Sequence, residues 1–343
     1  MADERLGFGV VGVNPRIRRS ILAGLRDAHR ARLAAVCSRD PTKASQTAAE
    51  FGGIGYTSFS EMLRDPAVEA VFICTPHHLH LPMALEALAA GKRVVCEKPL
   101  SLTLAEAEMM ADAARQSGLP NAVNFTYHSI AGHRAVARLV EDGAIGPLRQ
   151  LSLSYYQARQ KLPNAPPGDA LLEIGSHLID LASWWSGLGH AGEIQSVSSQ
   201  EVVDERGQVP IWSSLARTEG GTIITVQGNR KAAGWRNGME CWLVGDEGTL
   251  GFTFDTDTAS IQLARFGEGS SEGIFQPVPI PADLQVSYQD FPRVHVDRLA
   301  RALLGEESFP DFSHGLRVQR ALEALRVAAQ EGRWVDLQAV DAR

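Results

Sequence analysis

The first third of the chain alternates near-continuous apolar runs with helix-forming stretches, and this rhythm restricts the fold more than any other feature. FGVVGV, ARLAAVC, VEAVFICTP, RVVCEKP and NAVNF read as strands. Runs apolar at nearly every position suit strands buried on both faces, as in a parallel sheet covered by helices. The stretches between them open with helix signals. Asp40 before Pro41 supplies an N-cap and a first-turn proline, and Ser58 with Glu61 and Thr103 with Glu106 each have capping-box spacing. Strand, helix, strand at this spacing predicts a doubly wound parallel α/β domain over residues 1–124.

From about residue 147 the pattern changes. LRQLSLSYYQ, IQSVSSQEVV, GTIITVQGN, MECWLVG and TLGFTFD read as strands of an antiparallel or mixed sheet, with turns at Gly220-Gly221 and between Gly245 and Gly248. A strongly apolar helix from Asp169 to about Trp185 interrupts them, and two more close the chain near 288–304 and 314–331. A second α/β domain is expected over 125–343, and a length of 343 residues suits two domains. The Pro-rich LPNAPPGD reads as a loop over a site.

The formal net charge of −7 gives no reason to expect nucleic acid or an anionic membrane as a partner. MADERLGFGVV lacks a basic segment followed by a long apolar run, and no window reaches the roughly 18 apolar residues of a membrane span. A soluble cytoplasmic protein is the expectation. Cys37, Cys74, Cys96 and Cys241 are far apart and read as packed small hydrophobes, not disulfide partners or metal ligands.

In a doubly wound sheet the loop after the first strand faces the pyrophosphate of a dinucleotide, because amides at a helix N-terminus point there. Here that loop is Gly12-Val13-Asn14-Pro15-Arg16-Ile17. Against G-x-G-x-x-G, only the first glycine survives; Asn14, able to adopt the left-handed conformation, stands at the second position, and Ile17 at the third would hold the helix farther from the strand. The loop reads either as a cofactor cradle or as an ordinary tight turn. After the second strand, Ser38-Arg39 offers a hydroxyl and a cation that suit a 2′-phosphate, which tilts the expectation from NAD towards NADP. The alternative leaves Arg39 in solvent and Asp40 as a helix cap.

Lys98 ends the RVVCEKP run, where open α/β sheets bind their ligands, beside Glu97. It can bond the reacting oxygen of a substrate, or simply pair with Glu97 to close a loop. Much later, Glu173, His177 and Asp180 fall on one face of the apolar helix in ALLEIGSHLID. Burying such groups costs several kcal/mol unless they are paired, so the set is either a site or a self-satisfied ladder. Glu-x-x-x-His has no third convincing ligand nearby, and the spacing of His77, His78 and His80 suits loop hydrogen bonds, so no metal is expected.

Taken together, VFICTPHHLHLPMALEALAAGKRVVCEKPLSLTLAEAE, VNFTYH, DGAIGPLRQL, GDALLEIGSHLIDLASWWSG and GDEGTL resemble the Gfo/Idh/MocA family of glucose-fructose oxidoreductase, inositol dehydrogenase and rhizopine catabolism proteins. The resemblance covers nearly the whole chain. It implies an N-terminal Rossmann domain, a C-terminal α/β domain with a large, mostly antiparallel open sheet, and oxidation or reduction of sugars or polyols. It also implies that Lys98 contacts cofactor and substrate, that the Lys98-Pro99 bond is cis, and that His177 is the acid/base, with Glu173 where an aspartate is usual. His128 stands where arginine is often found. A homodimer or homotetramer formed through the C-terminal sheet is implied as well.

The expected cofactor contacts are Gly12, Asn14, Pro15, Arg16, Ser38, Arg39, Thr75, Pro76, His80, Glu97 and Lys98. Aromatic faces and planar donors suit sugars, so Tyr127, His128, Tyr156, Arg159, Trp212, Trp235 and Arg236 are substrate-side candidates beside Lys98, Glu173 and His177. In the expected reaction His177 accepts the hydroxyl proton as hydride leaves the same carbon, Lys98 stabilises the alkoxide, and Glu173 orients the imidazole. Two rivals are a cofactor-retaining glycosidase of the same family and a catalytically silent sensor.

Overall fold

The computed structural model describes residues 5–158, 170–255, 258–267 and 271–340. They form two compact units, one of residues up to Ser129 with Val286–Gln319, the other of Ile130–Gln285 with the residues from Arg320 onward.

The first unit holds six parallel strands: β1 Leu6–Val11, β2 Ala31–Cys37, β3 Ile54–Tyr56, β4 Ala70–Ile73, β5 Arg93–Cys96 and β6 Asn121–Val123, ordered β3-β2-β1-β4-β5-β6. The chain first winds outward through β2 and β3, then returns beside β1 to build β4, β5 and β6. The direction therefore reverses between β1 and β4, which is where such sheets leave a ligand crevice. β3 is a strand the apolar-run criterion passes over. It is a short edge strand following Gly52-Gly53, both at positive φ, with Ile54 54% exposed, so it lacks the apolar continuity of its neighbours.

The helix starts are where their caps place them. Asp40 Oδ1 accepts from the amides of Thr42 and Lys43, and Ser58 Oγ accepts from Glu61. Thr103 Oγ1 accepts from Glu106, whose own carboxylate reaches back to the amide of Leu102. The helix Phe291–Leu303, distant in sequence, belongs to this unit: Val296, Leu299, Ala300 and Leu303 join Ile21, Leu22 and Leu25 in one buried cluster. Each of the valine, leucine and isoleucine side chains contributes about 1.5–3 kcal/mol over leaving it in water. A Cβ on Gly24 would lie 2.4 Å from the Pro292 carbonyl oxygen, so the two helices approach backbone to backbone.

The second unit has nine strands: β7 Leu148–Tyr156, β8 Ile194–Val202, β9 Ile211–Thr218, β10 Ile223–Asn229, β11 Gly238–Gly245, β12 Gly248–Asp255, β13 Thr258–Arg265, β14 Gln276–Val278 and β15 Val335–Asp336. Their order is β14-β13-β12-β11-β7-β10-β9-β8-β15, antiparallel except where β7 and β10 run parallel. Strand β9 shows how one face is chosen: Trp212, Ser214, Ala216 and Thr218 are buried, while Ser213, Leu215 and Arg217 are exposed. Helices Ala131–Glu141 and Ser176–Leu188 lie on the buried side, where Gly132 meets Phe252 and Gly175 meets Trp212.

Candidate active site

In the first unit, four loops leave the C-terminal ends of β2, β1, β4 and β5, strands adjacent in the sheet. Gly12 has φ +91°, and a Cβ there would stand 2.5 Å from the Cys74 carbonyl oxygen, so the loops after β1 and β4 touch through backbone. Asn14 does not use the left-handed conformation open to it. Its φ is −140°, and its Oδ1 caps the following helix by accepting from the amides of Arg16 (2.9 Å) and Ile17 (3.1 Å). Ile17 is buried in the core and fixes the helix there. The chain then widens into a π turn over Arg18–Leu22.

The close approach at Gly12 and the exposed Arg16 and Arg39 suit a dinucleotide, although Asn14 withdraws two of the amides that a glycine loop would offer. At the end of β2, Ser38 Oγ accepts from the Asp40 amide at 3.3 Å, and Asp40 Oδ1 caps its helix. Arg39 and Asp40 are both exposed there, so a cation and a carboxylate stand side by side at the end of β2.

After β4, Thr75 is half-buried and Pro76 exposed. His80 is fully buried, with Nε2 3.1 Å from the Thr75 carbonyl oxygen and Nδ1 3.2 Å from those of Pro99 and Leu100. It straps the loop after β4 to the loop after β5. Burial lowers its pKa, and the backbone carbonyls and Glu97 oppose that shift. The Lys98-Pro99 bond is cis, and Lys98 is half-buried at the tip of β5. Its neighbour Glu97 is buried and accepts from Arg16 Nη2 (3.3 and 3.4 Å) and from Asn124 Nδ2 (2.9 Å).

Asn124 and its partners went unnoticed in the sequence. Asn124 Oδ1 lies 2.7 Å from His295 Nε2, and His295 Nδ1 lies 2.7 Å from Ser129 Oγ. The available signal was a lone histidine on the apolar stripe that also carries Leu299 and Leu303. Tyr127 and His128 are both buried, and the His128 carbonyl accepts from Arg298, which is paired with Glu307.

In the second unit, Asp169 lies outside the described residues; the rest of the helix expected from there to Trp185 includes a π turn over Leu171–Gly175 and continues as α-helix over Ser176–Leu188. Glu173 lies in the π turn, and His177 in the first turn of the α segment; both are half-buried, whereas Asp180 is fully buried. The π turn Leu171–Gly175 thus carries one candidate residue, Glu173, and the π turn Arg18–Leu22 follows directly after the candidate Arg16. The Tyr156 and Trp235 rings lie 5.3 Å apart between centroids and are tilted by 35°, while Arg236 is exposed. Trp212 is 1% exposed beneath Gly175 and Gly228, so its ring is core and not a surface on which a sugar stacks. Arg159 lies outside the described residues.

Comparison with known proteins converges on one family. Residues 6–125 match the oxidoreductase family with NAD-binding Rossmann fold of the Gfo/Idh/MocA group, and residues 133–251 match the Gfo/Idh/MocA C-terminal domain. The chain is similar to levoglucosan dehydrogenase from Pseudarthrobacter phenanthrenivorans, 25% identical with 90% of each chain covered. It is also similar to dTDP-3,4-didehydro-2,6-dideoxy-alpha-D-glucose 3-reductase from Streptomyces violaceoruber, 32% identical over 71% of this chain and 72% of that one. Among solved structures, an NAD binding oxidoreductase from Klebsiella pneumoniae superposes with a TM-score of 0.88 at 26% identity, covering 98% of this chain and 100% of that one. Levoglucosan dehydrogenase in complex with NADH gives 0.83 at 25% identity, covering 97% and 99%. With both halves matched in order and the two sheets built as described, this chain belongs to the Gfo/Idh/MocA oxidoreductase family.

Proposed function

We propose that this protein transfers a hydride between a nicotinamide dinucleotide and a hydroxyl-bearing carbon of a sugar or polyol. The observation that carries the reading is the gathering of Gly12, Thr75, Glu97 and Lys98 at the ends of neighbouring strands where the sheet reverses direction. The sugar-converting relatives support the substrate class.

A bound nicotinamide dinucleotide supplies the hydride acceptor. Gly12, Asn14, Pro15, Arg16, Ser38, Arg39, Thr75, Pro76 and Glu97 would hold it, with His80 fixing two of the loops from behind. His177 takes the proton from the substrate hydroxyl as the C–H bond of the same carbon gives up its hydride, leaving a carbonyl. Lys98 donates a hydrogen bond to the developing alkoxide, and Glu173 orients the imidazole and stabilises its charge. Tyr127, His128, Tyr156 and Trp235 contribute to sugar recognition.

The exposed Arg39, with Asp40 Oδ1 turned to its own helix, favours NADP, whereas the NADH held by levoglucosan dehydrogenase favours NAD. A second copy of the chain covers the open sheet face, where Trp242, Ser152, Thr225 and Leu215 form one cross-strand row with Trp242 40% and Leu215 43% exposed. The deciding experiment incubates the protein with NADP and with NAD against a panel of sugars and polyols while following absorbance of the reduced nicotinamide. Oxidation of one panel member supports the reading. Retained cofactor without net turnover, or nucleotide binding without any chemistry, overturns it in favour of the glycosidase or the sensor.

A further inference from the structure

Three polar residues behind Glu97 form a chain whose hydrogen-bond directions can be assigned one after another. Glu97 is a carboxylate acceptor shared by Arg16 and Asn124, so the group Asn124 turns towards it must be the donating amide nitrogen. That orientation leaves the Asn124 carbonyl oxygen facing His295 Nε2, and an acceptor there requires the ring nitrogen to carry the proton. Burial, with Arg298 and then Arg16 adding to it, pushes the His295 pKa down to about 3, so the ring is neutral at ordinary pH. Nδ1 is then bare and accepts from the Ser129 hydroxyl. Phe291, stacked at a 5° interplanar angle, and Phe309 enclose the ring.

Every donor in the series points the same way, from Ser129 through His295 and Asn124 to Glu97. The series ends on the carboxylate that precedes Lys98 in sequence and grips Arg16 of the first loop. Arg16 itself is 60% exposed, so solvent competes for it, and its grip depends on Glu97 being held in one place.

We propose that Asn124 and His295 are positioning residues for dinucleotide binding: the Nε2–H tautomer of His295 fixes the Asn124 amide, which fixes Glu97 as the anchor of the Arg16 loop. This rests on the dinucleotide-dependent reading above and adds to it a defined polar support reaching from the Phe291–Leu303 helix.

The test combines NADH and NADPH titrations, followed by nicotinamide fluorescence, with nitrogen-15 NMR of the histidines, His295→Gln serving to assign the His295 signals. His295→Leu and Asn124→Asp should raise the dissociation constant about tenfold or more, with the fold checked by circular dichroism. His295→Gln, which returns an amide N–H near the place of Nε2, should restore binding to within about threefold of the parent. Arg16→Ala combined with Asn124→Asp should lose less than the sum of the two separate losses, because part of each acts through Glu97. The NMR spectrum should show the Nε2–H tautomer at pH 7, and Asn124→Asp, by facing the ring with a carboxylate, should raise its protonation by more than about one pH unit. A Nδ1–H tautomer or a cationic ring in the parent overturns the proposal, as do folded variants that bind like the parent. A parent that binds neither dinucleotide removes the functional reading, while the tautomer still decides the chain of hydrogen bonds.

Discussion

The Glu97 carboxylate and the Asn124 amide stand 27 positions apart in sequence and meet at 2.9 Å. The contact joins the ends of β5 and β6, neighbours in the parallel sheet, beside the last backbone bond between them, from the Asn124 amide to the Cys96 carbonyl. Together with His80 across Thr75, Pro99 and Leu100, it ties the loops around Lys98 by side chains. Rigid support of this kind is what a group needs if it is to meet a reacting oxygen in one geometry.

Replacing Gly12 by alanine tests the loop junction. The new methyl would collide with Cys74 and Thr75 backbone atoms at 2.5–2.8 Å, and φ of +91° is unfavourable for any side chain. A loss of roughly 2 kcal/mol or more in urea denaturation is expected, with weakened dinucleotide binding. A variant of unchanged stability would show that the junction yields freely.

His177→Ala isolates the proton acceptor. Turnover should fall by at least about a hundredfold while the dissociation constant of the dinucleotide stays near its parent value. Steady-state rates and fluorescence titration read the two separately, and undiminished turnover would retire the assignment.

His295 predicts a direction for acid instability. With its folded pKa near 3 against 6.5 for the ordinary group, the unfolded chain binds the proton first. Its contribution to stability is therefore intact above pH 6.5 and is lost as pH falls towards 3, by up to about 1.4 kcal/mol per pH unit. His80, also lowered by burial, adds the same sign, so the comparison to make is urea midpoints of the parent and His295→Gln between pH 6.5 and 4. Parallel curves would count against a buried neutral ring.

The four cysteines should be silent in the native protein. Cys37, Cys74, Cys96 and Cys241 are all buried; burial pushes the Cys37 thiol up to about 11 and raises the other three. Since the thiolate is the reactive form, a disulfide reagent at pH 8 should titrate essentially none until denaturant is added. Rapid modification of the native chain would contradict this burial.

Local pattern carried the parallel strands other than β3, because burial on both faces leaves nearly unbroken apolar runs, and it carried the helix starts, because Asp40, Ser58 and Thr103 cap within three residues of themselves. It also carried the loop of Gly12 and the position of Lys98, which follow from where a strand must stop. Tertiary structure alone decided that Phe291–Leu303 packs beside Gly24, that Trp212 is core, and that Asn14 caps its own helix in place of a left-handed turn. Only folding joined Ser129, His295, Asn124 and Glu97, since hydrogen bonds between residues separated by up to 171 positions have no period or spacing to read. Local sequence fixes what a residue's near neighbours can satisfy; a buried polar group must find its partner wherever the packed chain brings one.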